Sequence, residues 1–589
     1  CLIRYDDNEV ARRNINTIST FKKNYSLGTH DTTIVSESDD LTNFDNAFDK
    51  GTTTKIDCSK VKATYLTSPM GNGFENMTDF VFPANLSNIS TSKGVLSGCK
   101  KLANITFPTV YCDISHPESF LANSTFVNGL ELPYTLNFVP MVSVDRQTGI
   151  EEIKQNEILK GSHVVENLNI KAATTNKCVV YVNKETTSLI IYPATVQGRF
   201  YLMGKGIDGD LSGLQSIQIG RSTNINDTDG FASNTSANIN LSLDLQSGNC
   251  TTKIPKNAFN GYSGNMINVV IYGNVTDSNG ITLESGSFCN MPNMTKLPMI
   301  NSTSLKVIPE NCMNNLASLT SATTGYVVDV EGCNDMLNLT SLRIESSCEI
   351  MNGFNNCPKL KNLSFMSDGK VKEIGGLNNN TIATFYVPNM ALSVSGVNNC
   401  SALTTVVIGN SLASFTGFNN CPKLNKFTVN SSNTTFKVID NNLYQGSKLC
   451  RVPMNKSDIT VANGTTEIMS NAIQVAFVNT ISVPSGCTLV SGSIKSQSVG
   501  QIIFHTSFNT ETGKYNNLTM TDFSTLDNVQ VGTIFTYGNG ITDTTNANCL
   551  PVVKYCIEHN INYVDMNETN TNARGAIGIS GNAELDGDN

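Results

Sequence analysis

The sequence predicts a repeat solenoid of leucine-rich-repeat type, each repeat of about 21 residues carrying a short parallel strand and a helical or 3-10 corner, with hairpin insertions between some coils. Three observations predict it. An apolar phrase keeps fixed internal offsets, the phrase recurs at regular spacing, and the composition favours turns and strands over long helices.

The phrase is clearest at Cys357, Leu360, Leu363 and Phe365, again at Cys400, Leu403, Val406 and Ile408, and again at Cys421, Leu424, Phe427 and Val429. The last two copies begin 21 residues apart. Degenerate copies stand at Met336, Leu339, Leu342 and Ile344, and at Asn379, Ile382, Phe385 and Val387. Further towards the N-terminus come the copies that begin at Phe74, Cys99, Leu211 and Met291.

An aromatic or apolar residue three positions before the anchor, as at Phe288, Phe354, Val397 and Phe418, fits one short helical or 3-10 turn. The alternation at the end of the phrase fits one short strand. Stacked in parallel, such strands bury Leu363 and Phe365 with Val406, Ile408, Phe427 and Val429 along one side of the coil. A single repeat cannot close a core, so it must stack on its neighbours. A β-sandwich of short strands is the alternative, and the fixed offsets argue against it.

Only 15% of the residues are charged, and Asn, Thr, Ser and Gly dominate the polar set, which favours turns and strands. The net charge is −9, and Arg12-Arg13 and Lys22-Lys23 are the longest basic runs, so a nucleic-acid partner lacks its electrostatic footprint. No stretch of eighteen apolar residues offers a helical membrane span. The chain starts at Cys1, which makes that residue a candidate lipid anchor, with proteolytic maturation or a longer parent chain as the other readings.

The seventeen cysteines are odd in number, and several share one repeat position. Cys99, Cys357, Cys400 and Cys421 read as a column of compact buried wedges kept reduced, because Asn379 stands in what looks like the same register without a thiol. Rungs about 4.8 Å apart do not by themselves bring Cβ atoms to the roughly 3.8 Å of a disulfide. Cys549 and Cys556 are spaced to pair or to share a helix face. With no Cys-x-x-Cys pair and five scattered histidines, no metal site is expected. Asn-x-Ser/Thr triplets, among them Asn76, Asn104, Asn123, Asn338, Asn362 and Asn517, are glycan acceptors in a secreted eukaryotic chain, and Asn104 and Asn362 take the outward position of the strand. A chain rich in Asn, Ser and Thr also generates the triplet by composition.

Two phrases, Val95 to Pro108 and Gly417 to Leu424, resemble the BspA-type leucine-rich repeats, in which an aromatic, a small residue with cysteine, and a leucine precede an apolar strand. The stretches Val180 to Pro193 and Ile439 to Pro453 resemble the strand hairpins that interrupt such coils. Leu550 to Val564 resembles the short helix and final strand that close them. The resemblance covers roughly residues 65 to 565, with a poor match over 111 to 175. It implies a rigid non-catalytic scaffold, used by microbial surface proteins for adhesion and protein recognition and found in proteins of bacterial viruses. It supplies no catalytic, cofactor or metal residues.

Candidate chemistry outside the repeat is thin. Asp208 with Asp210, and Glu37 with Asp39 and Asp40, read as solvated loop acids. Ser162-His163 and His505-Thr506-Ser507 place a hydroxyl beside an imidazole only by adjacency, which does not orient a triad. Gly71-Asn72-Gly73 and Gly204-Lys205-Gly206 read as turns, since neither completes a phosphate-binding loop. No catalytic, cofactor or metal residue is therefore assigned. The expected organisation is an N-terminal arm, cap or junction over 1–64, one elongated solenoid over 65–565, and a polar tail over 566–589. The expected role is a non-enzymatic surface-display or adhesion scaffold, extracellular or at the cell surface, that binds protein or glycan partners and has room to oligomerise. The alternative is a structural or host-recognition component of a bacteriophage virion or tail, contacting other virion subunits. A hydrolytic enzyme ranks below both.

Overall fold

The computed structural model describes residues 48–139, 142–153, 156–172, 177–192, 200–220, 223–228, 230–231, 235–244, 253–272, 281–298, 303–367 and 369–567, with short pieces at 2–5, 10–12, 30 and 32–35. Cys1, the acids at 37, 39 and 40, the Lys22-Lys23 pair and the tail beyond 567 lie outside the described residues. The chain divides into two compact units, Cys1–Met336 and Leu337–Asn589.

In the first unit the chain alternates between parallel ladders as it coils. Lys55–Asp57 pairs with Asp79–Val81, and that strand with Asn104–Thr106. Tyr65–Leu66 and Asn88–Ile89, which alternate with those strands along the chain, form a second parallel ladder with Cys112–Ile114 and Leu136–Phe138. Farther on, Asn167–Ile170, Ser188–Ile191, Ser216–Ile219 and Asn238–Asp244 stack in parallel. Near the N-terminus Leu2–Tyr5 is the centre of a small antiparallel sheet with Val10–Arg12 and Thr32–Val35.

The second unit repeats the arrangement. Thr384–Tyr386, Thr405–Ile408 and Lys426–Val429 form one parallel ladder, while Glu373–Ile374, Ser393–Val394 and Ser414–Phe415 form the other. Burial alternates along the strand Thr405–Ile408, with Val406 and Ile408 inward, as a half-buried sheet requires. Leu360, Leu403 and Leu424 are completely buried, and all four residues of the copies that begin at Phe74 and Leu211 are buried too. Leu363 and Phe365 are only partly covered.

The leucine-rich-repeat architecture with helical or 3-10 corners is corrected. The described residues contain one α-helix, Pro551–Glu558, and one 3-10 turn, Ser524–Leu526, and neither lies in a repeat of the phrase. The fold is a β-solenoid whose corners are turns. The reason lies in the backbone of the residues that suggested a helical corner. Phe354, Val397 and Phe418 have φ of 58°, 60° and 57°, and Asn356, Asn399 and Asn420, two residues on, have φ of 56°, 57° and 54°. A left-handed residue, one that is not, and another left-handed residue cannot be a turn of right-handed helix, which needs consecutive negative φ. Spacing by three reflected an inward side chain on either side of a sharp corner. A second strand per coil replaces the helix.

The hairpin reading is also corrected at one of its two places. Lys177–Val182 and Ser188–Ile191 are not partners; each joins a different parallel sheet. Around Ile439 the antiparallel meander is present, with Phe436–Ile439 on Asn442–Gln445 and that strand on Lys448–Arg451, which then rejoins a parallel ladder with Glu467–Ile468. The helix Pro551–Glu558 precedes Asn562–Asp565, which pairs in parallel with Gln530–Thr536. No described helix is long and apolar enough to cross a membrane.

Candidate functional site

The corner that overturns the helical reading is built from five positions, glycine, an apolar residue, two asparagines and cysteine, seen three times without change of pattern at Gly353–Cys357, Gly396–Cys400 and Gly417–Cys421. Glycine leads because successive coils touch there. A Cβ on Gly396 would meet the Gly376 carbonyl oxygen, and one on Gly417 the Gly396 carbonyl oxygen. The apolar residue that follows is left-handed and buried, a conformation that costs an L-residue about 1–2 kcal/mol and persists because its side chain fills the core.

The first asparagine builds an inner ladder. Asn355 Oδ1 accepts the Asn378 N–H at 3.1 Å and its Nδ2 at 2.7 Å. Asn378 Oδ1 accepts the Asn398 N–H at 2.8 Å, and Asn398 Oδ1 accepts the Asn419 N–H at 2.8 Å. The second asparagine is left-handed, a region it tolerates better than other L-residues, and forms an exposed outer ladder. There Asn379 Nδ2 donates to Asn356 Oδ1, and Asn420 Nδ2 donates to Asn399 Oδ1 at 3.1 Å.

The closing residue is a buried donor. Cys400 and Cys421 Sγ point at the carbonyls of Asn398 and Asn419, both at 3.4 Å. In the intervening coil Asn380, not Asn379, occupies this position, and its Nδ2 donates to the Leu377 carbonyl at 2.5 Å. That coil is one residue shorter between corner and strand, so counting back three from Ile382 lands one residue early. No disulfide joins the described cysteines. The hydrogen bond that Cys400 donates to Cys421, together with burial, pushes the Cys400 thiol pKa up, and burial pushes Cys450 and Cys556 up to about 12. Cys549 and Cys556 do not pair; only Cys556 lies on the helix.

In the first unit the same chemistry opens out. Asn290 Nδ2 donates to Asn260 Oδ1 and Asn315 Nδ2 to Asn290 Oδ1, each at 2.8 Å. Asn257, Asn290, Asn311, Asn315 and Asp335 are left-handed, with φ between 55° and 61°. These rungs are 30 and 25 residues apart, against 20 to 23 in the inner ladder of the second unit. Between the corners lies a solvent-open cavity of about 460 Å³, lined by Asn257, Asn260, Ser285, Asn290, Asn315 and Asp335 among others. The Cys289 thiol also lines it, its Sγ 3.1 Å from the Asn311 carbonyl and its pKa raised by burial.

The catalytic pairs suggested by adjacency are not assembled. His163 is buried, its Nδ1 3.2 Å from the Gly161 carbonyl, while Ser162 faces solvent. His505 meets neither Thr506 nor Ser507; its Nε2 lies 2.8 Å from Ser482 Oγ on the adjacent strand. Sequence adjacency missed this pair, which only the rung-to-rung register creates. It is exposed, and among the described residues no carboxylate is paired with the imidazole. Asp210 Oδ1 caps its own turn by accepting the Ser212 N–H at 3.1 Å. Gly71, Gly73 and Gly206 have φ of 94°, 76° and 65°, as turns require. No group of three metal-ligating side chains occurs among the described residues. Asn104 and Asn362 are exposed, the first donating to Asp79 Oδ1 at 2.8 Å and the second to Ser341 Oγ at 3.2 Å.

Neither a protein-family model nor a curated protein matches the sequence. Among solved structures the chain is similar to a leucine-rich cell surface protein from Faecalibacterium prausnitzii, at 12% identity and a TM-score of 0.25, over 72% of this chain and 92% of that one. A leucine-rich repeat protein from Eubacterium ventriosum matches at 14% identity and a TM-score of 0.25, over 37% of this chain and 75% of that one. The pneumococcal vaccine antigen PcpA matches at 14% identity and a TM-score of 0.23, over 60% and 76%. These values do not carry a family or a function across, and the BspA-type resemblance stays a resemblance of repeat phrases.

Proposed function

We propose that this chain is a non-enzymatic surface-display or adhesion scaffold that binds a protein or glycan partner. The observation that supports the reading is the row of amide side chains presented at the coil corners, several of them joined to the next rung by hydrogen bonds. Rows of this kind offer a large partner many polar contacts at fixed spacing and lose little side-chain entropy on binding. A fold alone does not specify a function, so the reading rests on that surface and not on the coil.

A virion or tail component would use the same coil against copies of itself or another particle subunit. Two measurements decide. Antibody labelling of intact cells and of purified particles from the source locates the chain, and a binding screen against cell-surface proteins and glycans runs beside a broad hydrolase screen. Saturable binding without turnover, with labelling at the cell surface, supports the scaffold. Incorporation into particles supports the rival, and turnover abolished by one substitution overturns both.

A further inference from the structure

Resting on the partner-binding reading, we propose that the amide-lined cavity of the first unit is a subsite for a neutral, polyhydroxylated ligand, one or two residues of a glycan chain. Its volume is about 460 Å³ and it is open to solvent, so a ligand there stays partly exposed, as one or two residues of a longer chain would. Its lining selects the ligand class by what it offers. Among the described residues no lysine or arginine lines it, so phosphate or sulfate would find no cationic partner there. Among them no aromatic or large aliphatic side chain lines it either, so an apolar ligand would bury little against it. Asp335 is the one carboxylate among the described lining residues, fewer than a calcium site ordinarily uses.

Primary amides make up most of the lining, beside the Ser285 hydroxyl, the Cys289 thiol and the Asp335 carboxylate. Each amide carries a donor and an acceptor on one rigid plane, the same pairing that a sugar hydroxyl presents. The orientation is already set. Asn260 Oδ1 and Asn290 Oδ1 are committed to the ladder, which leaves Asn260 Nδ2 as a donor and Asn315 Oδ1 as an acceptor at its two ends with no hydrogen bond among the described residues. The left-handed backbone at Asn290 and Asn315 and the close approach of Gly286 to Asn257 hold the walls, so a ligand orders little on entry. In the second unit the equivalent amide bonds join residues 23 and 21 positions apart, against 30 and 25 here.

The test uses the full chain and a panel of neutral tetrasaccharides, namely cello-, chito-, manno- and malto-oligomers, with a sulfated heparin tetrasaccharide as the anionic probe, read by calorimetry and saturation-transfer NMR. Ser285 is exposed on the rim, and Ser285→Trp fills the mouth of the cavity. At least one neutral oligomer is expected to bind saturably, with affinity reduced tenfold or more by Ser285→Trp and an unchanged urea midpoint. Should that variant fail to fold, Asn260→Ala is expected to weaken the same oligomer several-fold. Absence of binding by all four neutral oligomers, or preference for the sulfated probe, overturns the proposal. Neutral binding unchanged by Ser285→Trp places the glycan elsewhere and also overturns it, while leaving the scaffold reading standing.

Discussion

Arg451 Nη2 donates to Asn419 Oδ1 at 2.8 Å and to the Gly417 carbonyl at 2.9 Å, so one guanidinium from the meander terminates the inner asparagine ladder. Its Nη1 donates to the Asn471 carbonyl at 2.5 Å, and Gln474 Nε2 reaches the same Asn419 Oδ1 at 2.9 Å. Only 2% of Arg451 is exposed, and burial lowers its pKa to about 10, far enough above neutrality to keep it charged. A planar fork meets three acceptors where the asparagine ladder ends, sharing Asn419 Oδ1 with Gln474.

Arg451→Met is therefore expected to cost about 3 kcal/mol, since it strips charge-assisted bonds from buried carbonyls. Arg451→Lys should recover only part, because an ammonium cannot span the same acceptors. Urea unfolding of the three proteins checks the order, and a lysine variant as stable as the parent would defeat it.

Glycine at the coil contact and glycine at a turn fail for different reasons. Gly396→Ala drives a methyl into the Gly376 carbonyl and is expected to cost up to about 3 kcal/mol by overpacking. Gly464 has open space around its Cβ and φ of 81°, so Gly464→Ala should cost only about 1 kcal/mol of backbone strain. Thermal melts of both variants would show the reverse order if coils did not touch at the glycine column.

Leu403 is fully buried in the repeated core. Leu403→Asp places an unpaired carboxylate there and is expected to cost more than about 4 kcal/mol, while Leu403→Met stays within about 1.5 kcal/mol. Hydrogen exchange should show loss of protection in the flanking strands Thr384–Tyr386 and Lys426–Val429 as well as in its own coil.

His163 titrates against the fold. Burial lowers its pKa below the ordinary 6.5, with the Gly161 carbonyl and the charge of Glu185 opposing. The unfolded chain then binds the proton more readily than the folded one, so this residue's contribution is present above pH 6.5 and is lost as pH falls through the folded value. His163→Gln should flatten the acid limb of a stability profile between pH 7 and 5. An unchanged slope in that variant would show that other groups set it.

Thiol accessibility follows from the same burial. Cys400 and Cys421 should resist alkylation in the native protein and react fully in denaturant, by intact mass. Mass loss corresponding to a bond between them before denaturation would count against the reduced column.

Although Leu363 and Phe365, expected inside, are only partly covered, the sequence alone determined that the chain coils and which anchor residues face inward, because an apolar anchor repeated at fixed offsets has to be buried in register. Leu360, Leu403 and Leu424 were legible for that reason. The kind of corner was decided only in the folded structure. A spacing of three is equally the mark of a helical turn and of two inward residues across a left-handed bend, and φ is not written in hydrophobicity. The one-residue slip from Asn379 to Asn380 has the same origin, since coil length changes wherever a turn loses a residue. The cavity among Asn260, Asn290 and Asn315, the Ser482–His505 pair and the Arg451 clamp depend on residues 20 to 34 positions apart meeting across rungs, which only the stacking of coils decides.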